Sequence, residues 1–140
     1  MYYGEFNAEG QAHGHGIESY STDDCYEGQF QDGLKHGYGI IKGNYYRRSL
    51  GYHCHNSTNH EGEWYYGEQD GYGVEEFGDG NVYEGEFKNG YYDGKGVCRY
   101  HDRSVYEGEY KYHRRHGKGI YTDANGLVQN GNWEKDIFIN

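Results

Sequence analysis

A chain of 140 residues supplies one domain and is too short for two independent cores. Hydrophobic residues make up 34% against 19% aromatic, with 25 glycines and no proline, which excludes collagen and Pro-rich spacers and predicts an ordered chain that buries ring faces against glycine. The formal charge of −10 disfavours nucleic acid and anionic membrane as main partners, since both require a basic field.

The opening MYYGEF lacks the apolar stretch of a signal peptide, and Tyr2 to Phe6 is the first copy of a recurring motif. Further copies follow in chain order: YEGQF at 26–30, HEGEW at 60–64, YEGEF at 83–87, YEGEY at 106–110 and QNGNW at 129–133. A second motif, G-x-G plus an aliphatic residue, keeps step as GHGI at 14–17, GYGI at 37–40, GYGV at 71–74, GKGV at 94–97 and GKGI at 117–120. The starts at His60, Tyr83, Tyr106 and Gln129 are each 23 residues apart, while one G-x-G interval of 34 marks an 11-residue insertion within about 43–59. The expected organisation is a single array over 1–140, with repeats at about 2–25, 26–59, 60–82, 83–105 and 106–128, and a partial, capping copy at 129–140.

Each unit reads as a β-hairpin. In YEGEF, Tyr83, Gly85 and Phe87 point to one face and Glu84 and Glu86 to the other. Asn89-Gly90 supplies a tight turn, because both residues tolerate positive φ, and 94–100 is the return strand. The third repeat is expected to turn at Gly78–Gly80. Glycine inside a strand implies close approach of another group, here expected to be a ring from an adjacent hairpin. Glycines at Gly28, Gly62, Gly85 and Gly108 on outgoing strands, and the pairs Gly37/Gly39, Gly71/Gly73, Gly94/Gly96 and Gly117/Gly119 on return strands, are therefore structural. Phe6, Phe30, Trp64, Phe87, Tyr110 and Trp133 form one expected core ladder, and Ile17, Ile40, Val74, Val97 and Ile120 a second. The predicted fold is all-β: an elongated, twisted antiparallel sheet of five to six stacked hairpins, on the order of 50–55 Å long.

The pattern Y-x-G-x-F/W followed by G-x-G at a 23-residue period resembles the MORN (membrane occupation and recognition nexus) repeat family over nearly the whole chain. His60 and Gln129 depart from it at the tyrosine position, His113 at a turn glycine, and the insertion breaks the period. The resemblance implies a non-catalytic protein–protein interaction scaffold, a small subunit of a larger cytoskeletal or ciliary assembly such as an axonemal radial spoke. It also implies two alternatives, a lipid-binding membrane tether and an accessory regulator of an enzyme complex. The charge of −10 opposes the tether.

Catalytic and cofactor chemistry find no support in the residues. No G-x-G extends to G-x-G-x-x-G and no GK[ST] follows, so these glycines do not cradle phosphate. The carboxylate pairs Glu61/Glu63, Glu84/Glu86 and Glu107/Glu109 recur every 23 residues, as an active site would not, and read as a solvated or partner-facing ladder suited to a basic segment. Residues His13, His36, Asp70, Asp93 and His116 precede each G-x-G and suggest a hydrogen bond that steadies a turn. His53, Cys54, His55 and His60 are the densest candidate metal ligands, but alternation along an extended chain and the missing finger spacing favour a polar loop. Three cysteines without C-x-x-C indicate a reducing compartment. The basic run Lys111 to Lys118 reads as solvated.

The residues thus predict no enzyme, no cofactor and no bound metal. Partner-binding candidates are Tyr38, Tyr72, Tyr91, Tyr92 and Tyr121, with Ile137 and Phe138 in a tail that folds back or anchors elsewhere. The expected partners are other proteins, through basic or amphipathic helical segments, with end-to-end self-association and without nucleic acid or lipid. The expected location is cytoplasm, cytoskeleton or cilium axoneme.

Overall fold

A computed structural model describes residues 1–20, 24–45 and 57–140. Its strands are β1 (Tyr2–Phe6), β2 (Ala12–Ser19), β3 (Cys25–Gln31), β4 (Leu34–Tyr45), β5 (Ser57–Tyr65), β6 (Glu68–Phe77), β7 (Val82–Lys88), β8 (Tyr91–Arg99), β9 (Val105–Lys111), β10 (Arg114–Thr122), β11 (Val128–Glu134) and β12 (Ile137–Phe138). They pair in sequence order as one open antiparallel sheet, β1 to β12. Each repeat is one hairpin, and the insertion falls between β4 and β5.

Turn chemistry sets the register. The hairpin turns at Asp32–Gly33, Tyr66–Gly67, Asn89–Gly90, Tyr112–His113 and Lys135–Asp136 all place two successive residues at positive φ. That is the twist-matched type I′ arrangement for two-residue hairpins. Gly78–Gly80 is therefore not the turn of the third hairpin, which Tyr66–Gly67 makes. It belongs to the connection between hairpins, where the Asp79 carboxylate accepts the Asn81 N–H at 3.0 Å. Asp102 and Asp123 do the same for Ser104 and Asn125 in the next two connections, at 2.9 and 2.8 Å. An aspartate two residues before its amide closes each link with a local Asx turn.

The core occupies one face of the sheet. Gly85 pairs with Gly96, and the Tyr83 ring lies across that glycine pair. A Cβ on Gly96 would come 2.5 Å from the Tyr83 hydroxyl oxygen, and Tyr26 over Gly39, Tyr106 over Gly119 and Tyr2 over Gly16 repeat the arrangement. The covering ring thus comes from the same hairpin, one strand earlier, where an adjacent hairpin was expected; at Gly73 both occur, with His60 and Phe87 each close. The hydroxyls of Tyr2, Tyr26, Tyr83 and Tyr106 each donate to the backbone carbonyl three residues on, at 2.7, 2.9, 2.8 and 2.9 Å. Each ring is thereby fixed at both ends.

Edge-on ring contacts join the hairpins. Tyr26 meets Phe30 at 5.1 Å and Trp64 at 5.5 Å, and Tyr106 meets Tyr110 at 5.1 Å and Trp133 at 5.4 Å. Offset and edge-on geometry is the favourable one for rings, at about 0.5–1.5 kcal/mol per pair beyond burial. Phe30, Trp64, Phe87, Tyr110 and Trp133 are buried, whereas Phe6 on the first strand is 60% exposed.

The aliphatic row is not a second core ladder. Because Gly96 and Cys98 face the rings, Val97 between them must face away. Val97 pairs with Glu107, Val74 with Glu84 and Ile40 with Glu61 on the opposite face, and Ile120 is 41% exposed.

Candidate functional site

Two faces with different chemistry follow from this register. On the ring face, the second position after each hairpin turn projects into the aromatic row. Lys35 there lies 5.4 Å from the Tyr26 ring and 5.8 Å from that of Trp64. Arg115 lies 5.1 Å from Tyr106, 4.7 Å from Tyr121 and 5.2 Å from Trp133. Burial lowers the Lys35 ammonium from its ordinary value. Burial also disfavours the Arg115 charge, but its bond to the Tyr100 hydroxyl at 2.7 Å helps raise its pKa overall. Both cationic boxes are filled by the chain's own side chains, so the ring face is a core rather than a recognition surface.

Tyr92 occupies the equivalent position in the fourth hairpin. It was expected on the recognition surface, yet it is buried and stacked on Tyr83 at 3.7 Å, with its hydroxyl donating to the Glu75 carboxylate at 2.9 Å. A polar layer of His60, Gln69 and Glu75 is buried between two aromatic clusters, one around Tyr26 and Trp64 and the other around Tyr83 and Tyr106. His60 lies edge-on to Trp64 and Phe87 at 5.3 and 4.8 Å. That placement in the core removes it from the candidate metal set. His53, Cys54 and His55 lie outside the described residues, and among the described residues no three His, Cys, Asp or Glu side chains gather as a metal site.

The second carboxylate of each motif has a structural task that the sequence reading missed. The Glu86 carboxylate accepts the Lys95 N–H at 2.5 Å, Glu63 that of Tyr72 at 2.7 Å and Glu5 that of His15 at 2.7 Å. Gln29 serves Tyr38 in the same way at 2.9 Å. The space is opened by the first glycine of G-x-G: Gly94 has φ +100, and a Cβ there would collide with Glu86. Strand pairing slips at this point, as at a bulge, between Gly85 and Phe87. The signal was present in the sequence as one Glu or Gln nine residues before the affected amide, or ten in the first repeat.

The first carboxylate of each motif remains on the open face. Tyr38 donates to Glu61 and Tyr72 to Glu84, and each raises its tyrosine's pKa. Arg99 also approaches Glu84, at 3.6 Å. Tyr72, Glu84, Val97, Arg99, Glu107 and Lys118 border a groove of about 650 Å³. Tyr38 and Tyr72 are 51% and 50% exposed, so these two partner candidates do present their rings to solvent.

The remaining candidates lie elsewhere. Tyr91 sits at the hairpin-turn edge against Tyr112, while Tyr121 is half-buried against Trp133 on the ring face. Ile137 is exposed, but Phe138 packs on Trp133 and the last residue returns over β11, where the Asn132 N–H donates to the Asn140 carbonyl at 3.1 Å. Of the residues preceding G-x-G, His36 accepts the Tyr66 N–H and Asp70 the Asn89 N–H, both at 3.3 Å. Each thereby steadies the turn of the following hairpin.

A protein-family profile described as MORN repeat matches residues 2–25, 26–44, 60–82, 83–105 and 106–128. Over a 34-residue stretch the chain is 53% identical to the ALS2 C-terminal-like protein of Homo sapiens, covering 24% of this chain and 4% of that protein. The counterpart in Bos taurus is 50% identical over 34 residues, with the same coverage. The matched stretch is thus a small part of either relative.

Proposed function

The chain belongs to the MORN repeat family, and from that premise we propose that it is a non-catalytic scaffold that docks a basic, amphipathic helix of another protein on its open sheet face. One observation carries this reading. On the face not consumed by the ring core, the row Ile40, Val74, Val97 and Ile120 is left partly or largely exposed beside the first carboxylates Glu61, Glu84 and Glu107. An apolar row beside recurring carboxylates, with Lys95, Arg99 and Lys118 bordering the same groove, is complementary to a helix with an apolar stripe whose lysine or arginine flanks meet Glu61, Glu84 and Glu107. Tyr38 and Tyr72 add rigid, half-exposed rings of the kind that anchor interfaces.

Membership of a cytoskeletal or ciliary assembly, within the cytoplasm or axoneme, is the setting that suits such a scaffold. The acidic rows and a net charge of −10 repel anionic lipid, which weighs against a membrane tether.

The test is affinity capture from the source cell with the native chain and with a Val74→Glu/Val97→Glu variant whose melting behaviour is retained. Partners retained by the native chain and lost by the variant support the proposal. Equal capture by both, or robust salt-sensitive flotation with acidic vesicles, would overturn it.

A further inference from the structure

The basic run Lys111 to Lys118, read from sequence as a solvated stretch, is folded into a corner of the sheet. There Lys111, Arg114, His116 and Lys135 gather with Tyr91 and Tyr112 around a pocket of about 490 Å³. No carboxylate among the described residues lines it, in a chain of net charge −10. The corner is built from three separate hairpins whose turn segments are clamped together. The His113 N–H donates to the Tyr92 carbonyl and the Tyr92 N–H to the His113 ring, both at 3.1 Å, which fixes the Tyr112–His113 turn against β8. On the other side, the Asp136 N–H donates to the Arg115 carbonyl at 3.1 Å and the Arg115 N–H to the Asp136 carboxylate at 2.9 Å, which fixes the Lys135 turn against β10. The two tyrosine rings meet edge-on at 5.3 Å.

The neighbouring carboxylates border an adjoining groove and not the pocket itself. A groove that shares Lys111 and His116 with it is bordered by Glu86, Asp93 and Glu109. Glu86 and Glu109 are turned to the Lys95 and Lys118 amides, at 2.5 Å each. Asp136 is engaged with the Arg115 amide.

We propose that this corner is a binding site for a compact phosphate monoester carried on a planar ring. Guanidinium and ammonium donors suit phosphate oxygens, and the tyrosines offer faces and edges for the ring. Compactness follows from screening: beyond about 8–10 Å the local positive charge is screened, and an extended polyanion would also meet the acidic rows. Nucleic acid and anionic membrane are disfavoured on that ground, whereas a nucleoside monophosphate or a phosphotyrosine side chain fits. The proposal is independent of whether a helix docks on the carboxylate rows.

The experiment is calorimetric titration of the full chain with phenyl phosphate near physiological ionic strength, with inorganic phosphate in parallel. The expected result is saturable binding, tighter for phenyl phosphate than for inorganic phosphate. Affinity should fall about tenfold or more in Arg114→Gln and about three- to tenfold in Tyr112→Ala. Lys135→Asn, which suits the positive φ of 48 at that turn, should also weaken binding. Glu9→Gln, in the first hairpin at the other end of the sheet, should leave it unchanged. No binding, or binding indifferent to both Arg114→Gln and Lys135→Asn in chains of native melting temperature, overturns the site; equal affinity for the two phosphates overturns the ring component. Adenosine monophosphate and a phosphotyrosyl peptide then separate the two carriers, and Arg114-dependent binding of either supports the site.

Discussion

The Tyr83 ring lies flat across Gly96 on the neighbouring strand and donates its hydroxyl to the Glu86 carbonyl at 2.8 Å. The glycine and the tyrosine are two halves of one device: removing the Cβ makes the slot, and the ring fills it. Gly96→Ala forces overpacking against backbone-anchored atoms and should cost about 1–3 kcal/mol. Tyr83→Phe keeps the ring but leaves a carbonyl without its donor, at about 1 kcal/mol. Urea unfolding of the two variants checks the order, and a neutral Gly96→Ala would contradict the packing described.

Glu86 should be replaceable by glutamine but not by alanine. Gln29 already performs the same task through its side-chain oxygen, so the hydrogen bond rather than the charge holds the bulge. Glu86→Ala should lose about 1–2 kcal/mol and Glu86→Gln much less. Equal losses in thermal melts would indicate that charge is what counts.

Alkaline pH should unfold the array. Burial raises the hydroxyl pKa of Tyr26, Tyr83 and Tyr110, and pushes those of Tyr100 and Tyr106 to about 12. In the unfolded chain these groups ionise near pH 10, so above that value the native state holds more protons and stability falls as pH rises. The stabilisation is complete below pH 10. Lys35, whose pKa burial lowers, acts in the opposite direction as pH approaches 10.5, but it is one group against five. Phenolate absorbance should show these five tyrosines titrating only together with loss of β-sheet circular dichroism. A single non-cooperative titration would contradict their burial.

The buried polar layer should be dispensable for stability. His60→Tyr with Glu75→Ile restores the residues that Tyr26 and Ile41 supply one repeat earlier, where both are fully buried. Replacing buried charged groups by packed apolar ones ranges from neutral to a gain of about 1–4 kcal/mol, against about 1–3 kcal/mol for the Tyr92 hydroxyl that loses Glu75. The melting temperature of the double variant should hold or rise, and a marked fall would show that the layer supports the fold.

The repeat, its period and the pairing of strands were legible because four of the hairpins bury the same tyrosine ring against the same glycine. Four features were not. Val97 looked like core because it is aliphatic, yet alternation from Gly96 sends it to the other face. Tyr92 looked like a recognition ring because tyrosine is polar at its tip, and only the position of Glu75 two strands away reveals a buried partner. Tyr66 gave no turn signal, since asparagine or glycine is the usual first residue of a type I′ turn. The carboxylate rows were read as one set, whereas the bulge at Gly94 divides them into a backbone lock and a solvent-facing row.

The most direct test of the docking face is hydroxyl-radical footprinting of the tyrosines with a captured partner bound. Tyr38 and Tyr72 stand on the open face, while Tyr65, Tyr66 and Tyr112 lie at the hairpin-turn edge, and all are exposed in the free chain. The expected result is protection of Tyr38 and Tyr72 with Tyr65 and Tyr66 still reactive. Protection confined to the turn edge, with Tyr38 and Tyr72 unchanged, would contradict docking on the sheet face.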